Sequence, residues 1–286
     1  MRLGLATYAL LPQLAIDDQL FLMTLRQRGH RVDAVVWDDT HIDWADYDGV
    51  IIRSCWDYHK RPAEFLAWID RLDGMGVRLW NPAPLLHWNH EKRYLIELAA
   101  QSIPIVPTIY LERGALVDLA QLLRDQQWAD AVIKPAIAAT AFHTWRTNIT
   151  QAVTNQQQLA ALVARGAVLV QPLMPEIAQG EWSLLFFGGE FSHAVLKRPA
   201  PGDFRSQDDF GGTVELRNPP PGMVDQAQHI LSTLSSPWLY ARVDGLVVGS
   251  VFTLMELELI EPSLFLSAAP HAANMLATAL ERLSAE

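Results

Sequence analysis

The most constraining stretch of this 286-residue chain is a strand-like run, Phe252-Thr253-Leu254-Met255-Glu256-Leu257-Glu258-Leu259-Ile260. Apolar side chains recur at close to every second position, the pattern of a strand with one face in a core, yet two carboxylates sit among them. On an extended backbone Glu256 and Glu258 point to one face. A third acid, Asp244, lies twelve residues before Glu256 in a second β-prone run, 240–248. Pairing the two runs gathers three carboxylates, which is costly unless a cation or protons neutralise them. Spacing alone equally fits a solvated strand face; the strongly apolar flanks favour an enclosed one. Oxygen-only ligands suit Mg²⁺ or Mn²⁺ better than zinc, and Mg²⁺ commonly combines one or two carboxylates with substrate phosphates. Phosphate chemistry is therefore the expectation.

Earlier in the chain, β-prone runs at 3–8, 32–37 and 50–53 alternate with a helical pattern over 18–28 that stops at Gly29. A second helical stretch, 63–75, leads to a strand at 78–80. This order predicts a small, mostly parallel sheet flanked by helices, an N-terminal α/β lobe over residues 1–85. Asn81-Pro82-Ala83-Pro84 reads as a breaker, followed by a linker helix, 91–100, and a strand within 86–110. Alternating strands and helices continue through a compact lobe, 111–173, before the last third, 174–286, turns to antiparallel strands. A hairpin around Gly188-Gly189, the 240–259 strand pair and a closing helix over 268–283 make up that lobe. The fold class is α/β, with a small N-terminal lobe ahead of two α+β lobes.

Two lysines are placed to reach phosphate oxygens: Lys92, which opens the linker helix, and Lys134, which ends the strand Val132-Ile133-Lys134 ahead of Pro135. Singly, either reads as an ordinary surface lysine. Neither Gly-x-x-x-x-Gly-Lys-Ser/Thr nor a strand-to-helix Gly-x-Gly-x-x-Gly is present. His87 and His90 have no partners to complete a zinc set, and Ser206 lacks a Gly-x-Ser-x-Gly context. A net charge of −10 argues against a nucleic-acid-binding surface. Half the residues are hydrophobic and ten are Trp, which excludes a disordered chain. The single cysteine, Cys55, cannot form an intrachain disulfide and fits a reducing cytoplasm. Apolar stretches such as 245–257 fall short of the roughly 20 residues that span a bilayer, and no signal peptide is indicated. Neither a nucleic-acid nor a membrane partner is expected.

Read in order, Lys92, Val132-Ile133-Lys134-Pro135, the run from Gln171 through Leu173 to Glu181, Lys197-Arg198-Pro199, Asp203-Phe204-Arg205, Gly211-Gly212, Arg242-Val243-Asp244 and Glu256-Leu257-Glu258 resemble the ATP-grasp superfamily. The likeness spans residues 85–266 and is nearest bacterial glutathione synthetase. It implies an ATP-grasp fold, in which a pre-ATP-grasp lobe precedes two lobes that clasp ATP. By the same resemblance Lys92 and Lys134 hold the ATP phosphates, the Gln171–Leu173 strand edges the adenine, and Glu181 holds the ribose. Asp244, Glu256 and Glu258 become the ligands of Mg²⁺ (or Mn²⁺). Arg242 stands near the transferred phosphate, with Arg198 and Arg205 facing it or the acyl substrate. Residues 199–212, with Gly211-Gly212, are the candidate lid that keeps water out. Two features depart from the family pattern: Glu258 stands where Asn is usual, and the loop 136–142 lacks the glycines that often cover the phosphates. In Arg53-Ser54-Cys55-Trp56-Asp57-Tyr58 and in 257–265 there is a narrower likeness, to ATP-grasp enzymes that cyclise O-ureido-serine to D-cycloserine.

The resemblance implies an ATP- and Mg²⁺-dependent carboxylate–amine ligase, or an intramolecular cyclo-ligase, that acts on a small amino-acid-like substrate through an acylphosphate. A catalytically degenerate ATP-binding sensor or scaffold, and a phosphotransferase with no amine step, are the alternatives. Arg53 and Ser54, with Asp57, follow a strand end where open α/β sheets bind ligands; they are candidates for the substrate, and ordinary loop structure fits them equally. Small carboxylate and amine substrates are the expected partners, in the cytoplasm, and a homo-oligomer is possible.

Overall fold

Strands joined through helices or long crossovers can pair in parallel, and the N-terminal strands do. The structure, a computed structural model, describes residues 1–205 and 211–285. The first sheet is built from β1 (Arg2–Thr7), β2 (Arg31–Val36), β3 (Gly49–Ser54) and β4 (Arg78–Trp80) in the order β2-β1-β3-β4, every pair parallel. Helices α1 (Ile16–Gln27) and α2 (Pro62–Gly74) make the crossovers. All of β3 is buried, as befits a central strand of a parallel sheet.

The Asn81–Pro84 segment starts a helix rather than breaking the chain. α3 (Ala83–Asn89) has Pro82 at its N-cap and Pro84 in its first turn, where a missing N–H is no loss. Asn81 donates to the carbonyls of Tyr240 (2.9 Å) and Leu259 (2.8 Å), so this junction is fastened to the C-terminal sheet. α4 (Tyr94–Ala100) then begins three residues later than its periodicity predicts. A second, antiparallel sheet follows, β5-β8-β6-β7, formed by β5 (Ile109–Leu111), β6 (Asp130–Pro135), β7 (Trp145–Asn148) and β8 (Val168–Pro172), with α5 (Leu119–Asp125) and α6 (Ala152–Arg165) between them.

The third sheet is antiparallel, in the order β11-β10-β9-β12-β13: β9 (Glu181–Phe187), β10 (Glu190–Arg198), β11 (Thr213–Leu216), β12 (Tyr240–Val248) and β13 (Val251–Glu258). β11 and α7 (Met223–Leu231) have no counterpart in the sequence reading; β11 is a short, mostly exposed edge, and α7 follows a proline-rich stretch that hides its apolar face. α8 (Ala272–Ala285) closes the chain against α1. Among the described residues no helix is long and apolar enough to cross a membrane.

Alternation gives the third sheet two distinct faces. Trp182, Leu184, Ala194, Leu196, Ala241, Val243, Phe252, Leu254, Leu257 and Leu259 share one hydrophobic core with α4 and α7. On the opposite face Leu185, Phe187 and Tyr240 pack with Leu3, Leu5 and Phe21 of the N-terminal lobe. β13 keeps this division only because its register slips: Asp244 pairs with Glu256 but Gly245 pairs with Leu254, which leaves Met255 as a bulge. Leu254 and Leu257 therefore face the same core, and Glu256 and Glu258 the other side. Gly245 sits opposite the bulge, where a Cβ would come within 2.6 Å of the Phe252 ring and the Thr253 carbonyl.

Candidate active site

A cavity of about 400 Å³ lies between the second and third sheets, with the N-terminal lobe reaching its rim. The non-core face of the third sheet is its floor. Glu256, Asp244 and Ser183 form a row across β13, β12 and β9, and Glu258 pairs with Arg242 beside it. From the second sheet come Lys134, Gln171 and Leu173; Lys92 enters from the segment between α3 and α4.

Most of the acids here are matched by cations. Arg242 donates from Nε to both Asp244 oxygens (3.0 and 3.1 Å), from Nη2 to Asp244 Oδ2 (2.9 Å), and also to Glu258. Ser183 donates to Asp244 at 2.6 Å. Lys197 lies 3.0 Å from Glu181 and 3.4 Å from Asp244, while Lys92 lies 2.9 Å from Glu256. Burial works to raise the Asp244 and Glu256 carboxyls, but Arg242 with Lys197, and Lys92 with Lys134, outweigh it and hold both below the usual carboxylate range. Glu258 goes the other way: burial, joined by the charges of Glu256 and Asp244, exceeds the help from Arg242 and pushes it up to about 7. Lys134 has no ion pair or hydrogen bond from its amine among the described residues, and burial lowers its pKa.

The geometry brings together Lys92, Lys134, Gln171, Leu173, Glu181, Arg205, Arg242, Asp244, Glu256 and Glu258. Gln171 is held by a 2.8 Å bond from its amide to Thr108, and Glu181 is committed to Lys197. Arg205 lines the cavity with its guanidinium on Asp203 (2.7 Å). Of the candidate lid, Ser206 to Phe210 lie outside the described residues.

Three of the expected site residues are elsewhere. Arg198 turns away from the cavity to Glu215 (3.1 Å), and Lys197 takes the inward place. The two-residue period explains the exchange: Ala194 and Leu196 are on the core face, so Lys197 must be on the other. Arg53 and Ser54 are 1% and 0% exposed and do not line the cavity. Both bond Asp18, at 2.9 and 2.6 Å; Arg53 also donates to the Pro262 carbonyl (2.6 Å) and stacks on Tyr240. They brace the lobes rather than meet a ligand. Arg53→Ala should lower stability by about 3–5 kcal/mol, because Asp18 would be left as an uncompensated buried charge. Chemical denaturation measures this; an unchanged midpoint with a raised KM for the acid substrate would return Arg53 to the site.

From the same segment Trp56 and Tyr58 do reach the cavity, and so does Glu261, which follows β13. All three fall in the stretches that carry the likeness to the cycloserine-forming enzymes, 53–58 and 257–265, but none is a site residue by sequence; the signal for Glu261 is the acid's place three residues beyond Glu258. Burial, with Glu258 nearby, pushes the Glu261 carboxyl up to about 8. The glycine-poor loop also lines the cavity, through Ala138 to Ala141. Thr140 and Ala141 adopt left-handed backbone without being glycine (φ +48° and +54°), at about 1–2 kcal/mol each. Lys92 secures the loop by donating to the Ala138 carbonyl at 2.7 Å, and Phe142 packs 4.9 Å from the His59 ring.

Among the described residues no three Asp, Glu, His or Cys side chains converge closely enough to hold a metal ion by themselves. The expected triad is instead split between cations. Its donor chemistry still fits Mg²⁺: the set is all oxygen, and the Glu256 and Glu258 side chains each keep 26% of their surface open to the cavity. Asp244, 1% exposed, stands behind them.

A family model described as the N-terminal domain of D-cycloserine synthetase DcsG matches residues 3–81. The chain is 32% identical to the cycloserine biosynthesis protein DcsG of Streptomyces lavendulae, over 98% of each protein. With the glutathione synthetase of Parasynechococcus marenigrum it shares 28% identity over 49% of this chain and 44% of that one. The crystal structure of D-cycloserine synthetase DcsG matches with a TM-score of 0.89 at 30% identity, over 99% of this chain and all of the other. D-alanine–D-alanine ligase from Bacillus anthracis matches at 0.71 with 15% identity, over 99% of this chain and 96% of its own, a likeness of fold alone. The similarity to glutathione synthetase thus covers half of the chain, whereas that to the cycloserine enzyme runs its full length. With a cleft that gathers paired carboxylates and two lysines between two antiparallel sheets, and a relative matched from end to end, the chain belongs to the ATP-grasp ligases, in the family of D-cycloserine synthetase.

Proposed function

We propose that this ligase activates the carboxylate of a small amino-acid-like substrate with ATP and closes it on a nitrogen of the same molecule. The carboxylate oxygen attacks the γ-phosphorus, the bond to the β-phosphate breaks and ADP leaves; the nitrogen then attacks the acyl carbon and phosphate departs. The observation that carries the reading is Lys134, a half-buried lysine whose amine has no ion-pair partner among the described residues, in a cavity whose other cations are held by acids. Such a group is placed to take phosphate oxygens. Lys92 joins it and keeps the 136–142 loop fixed over them. Gln171 and Leu173 line the adenine side, and Glu181, braced by Lys197, the ribose side.

Glu256, Glu258 and Asp244 are the residues that would hold Mg²⁺, which when bound supplies positive charge against the phosphate oxygens. Arg242 presents a planar, fixed guanidinium where the phosphoryl group gains charge. Phe204 and Arg205 wall the cavity where water must be excluded. The similarity to a D-cycloserine synthetase over the full chain supports O-ureido-serine as the substrate class, and the buried thiol of Cys55 suits the cytoplasm.

The test is incubation of the protein with ATP, Mg²⁺ and O-ureido-D-serine, with ADP and product mass followed together. ADP with a cyclised product is the expected result. ADP with only a phosphorylated product would convert the reading to a phosphotransferase. No ADP with this substrate, or with a panel of amino acids and hydroxylamine acceptors, would overturn it.

A further inference from the structure

Glu181, Asp244, Glu256 and Glu258 each hold a lysine or arginine in this cavity. Glu261 does not. Among the described residues no other side chain bonds or pairs with its carboxylate; the charge of Lys92, itself paired with Glu256, and its own backbone amide are what favour the ionised form. It nevertheless lines the same cavity, beyond Glu258, where the N-terminal lobe comes in. The Trp56 indole donates to the Glu261 carbonyl (3.2 Å), which fixes the backbone, and the Tyr58 ring lines the wall nearby. A lone carboxylate beside two aromatic rings is the chemistry that receives an ammonium group.

We propose that Glu261, with Trp56 and Tyr58, is the subsite for the protonated amino group of the substrate, so that the enzyme selects acids bearing an ammonium group. The proposal rests on the reading of this cavity as the place where the acid substrate is bound. Glu261 is a specificity residue, and the ammonium it holds is not the nitrogen that attacks. Its burial now penalises the charged carboxylate; a docked cation relieves that penalty.

Position beyond the end of β13 supports the assignment. Glu256 and Glu258 face Lys92 and Arg242, on the side where phosphate is expected, while Glu261 lies past them toward the N-terminal lobe. Arg242 stands between the two regions, since it also donates to the Ser263 carbonyl (3.1 Å). A carboxylate held near Arg242 would thus have its amino group within the neighbourhood of Glu261.

The test compares D-alanine with propionate, the same acid without the amine, titrated calorimetrically into the protein loaded with a non-hydrolysable ATP analogue and Mg²⁺. The wild type should bind D-alanine at least about tenfold tighter, the scale of one charge-assisted hydrogen bond, and Glu261→Gln should abolish that preference while leaving analogue affinity unchanged. Equal binding of the two ligands to the wild type, or an undiminished preference in Glu261→Gln, overturns the subsite. Should that variant fail to fold, Glu261→Asp is read in the same way, a weakened preference supporting the subsite and an undiminished one overturning it. Because the readout is binding, an amine preference without turnover of O-ureido-D-serine would refute the proposed reaction and leave the subsite standing.

Discussion

Glu256→Gln is expected to lower kcat/KM by about 10³-fold, the upper range for removing one electrostatic stabiliser. The substitution preserves shape and deletes a charge. Glu256 is one of the two acids of the triad with surface open to the cavity, it is the cross-strand partner of Asp244, and it fixes Lys92 at 2.9 Å. Neutralising it weakens the hold on Mg²⁺ and loosens Lys92, and through Lys92 the carbonyl of Ala138 in the covering loop. Steady-state kinetics across a Mg²⁺ titration measure both parts: high Mg²⁺ should recover a fraction of the loss and no more. Lys92 is 5% exposed, so the variant also loses stability, and its denaturation midpoint must show it folded at the assay temperature. Activity within tenfold of the wild type at equal Mg²⁺ would sink the assignment.

Arg242→Lys should reduce kcat by about 10²-fold or more with little change in KM for ATP. Lysine keeps the charge and loses the fork. Arg242 uses three nitrogens at once: Nε and Nη2 on Asp244, Nη2 on Glu258, and Nη1 on the Ser263 carbonyl. No ammonium can span those partners from one stem, so the cation would sit off the line on which the phosphoryl group gains charge. Single-turnover formation of ADP isolates the step. A kcat near that of the wild type, with a raised KM for ATP, would show that Arg242 only binds the nucleotide.

The legible parts of the molecule were those governed by short-range periodicity. Strands β3, β4, β9 and β12 lie within a few residues of their predicted runs because alternation and β-branched content act locally. The carboxylates of the site were visible because acids inside an apolar strand need a reason to be there. What escaped depends on distant neighbours. Pro82 and Pro84 look like a break until Asn81 is seen pinned to Tyr240 and Leu259, far along the chain. Arg53 looks like a ligand residue at a strand end until Asp18 and Tyr240 are found to enclose it. Lys197 and Arg198 are adjacent and both cationic, and only the facing of Ala194 and Leu196 decides which enters the cavity. Glu261 was hidden because its distinction is a missing partner, which no sequence displays.

The bulge at Met255 carries a lesson about how this site is written into the chain. An uninterrupted strand would aim Glu256 and Glu258 at the same side as Phe252 and Leu254, into the hydrocarbon interior. The chemistry therefore depends on a tally of residues as much as on their kind. A chain that kept every acid but drew Met255 into the ladder would align well and yet present a greasy surface to the nucleotide. Along this strand, inheritance of function is inheritance of a phase.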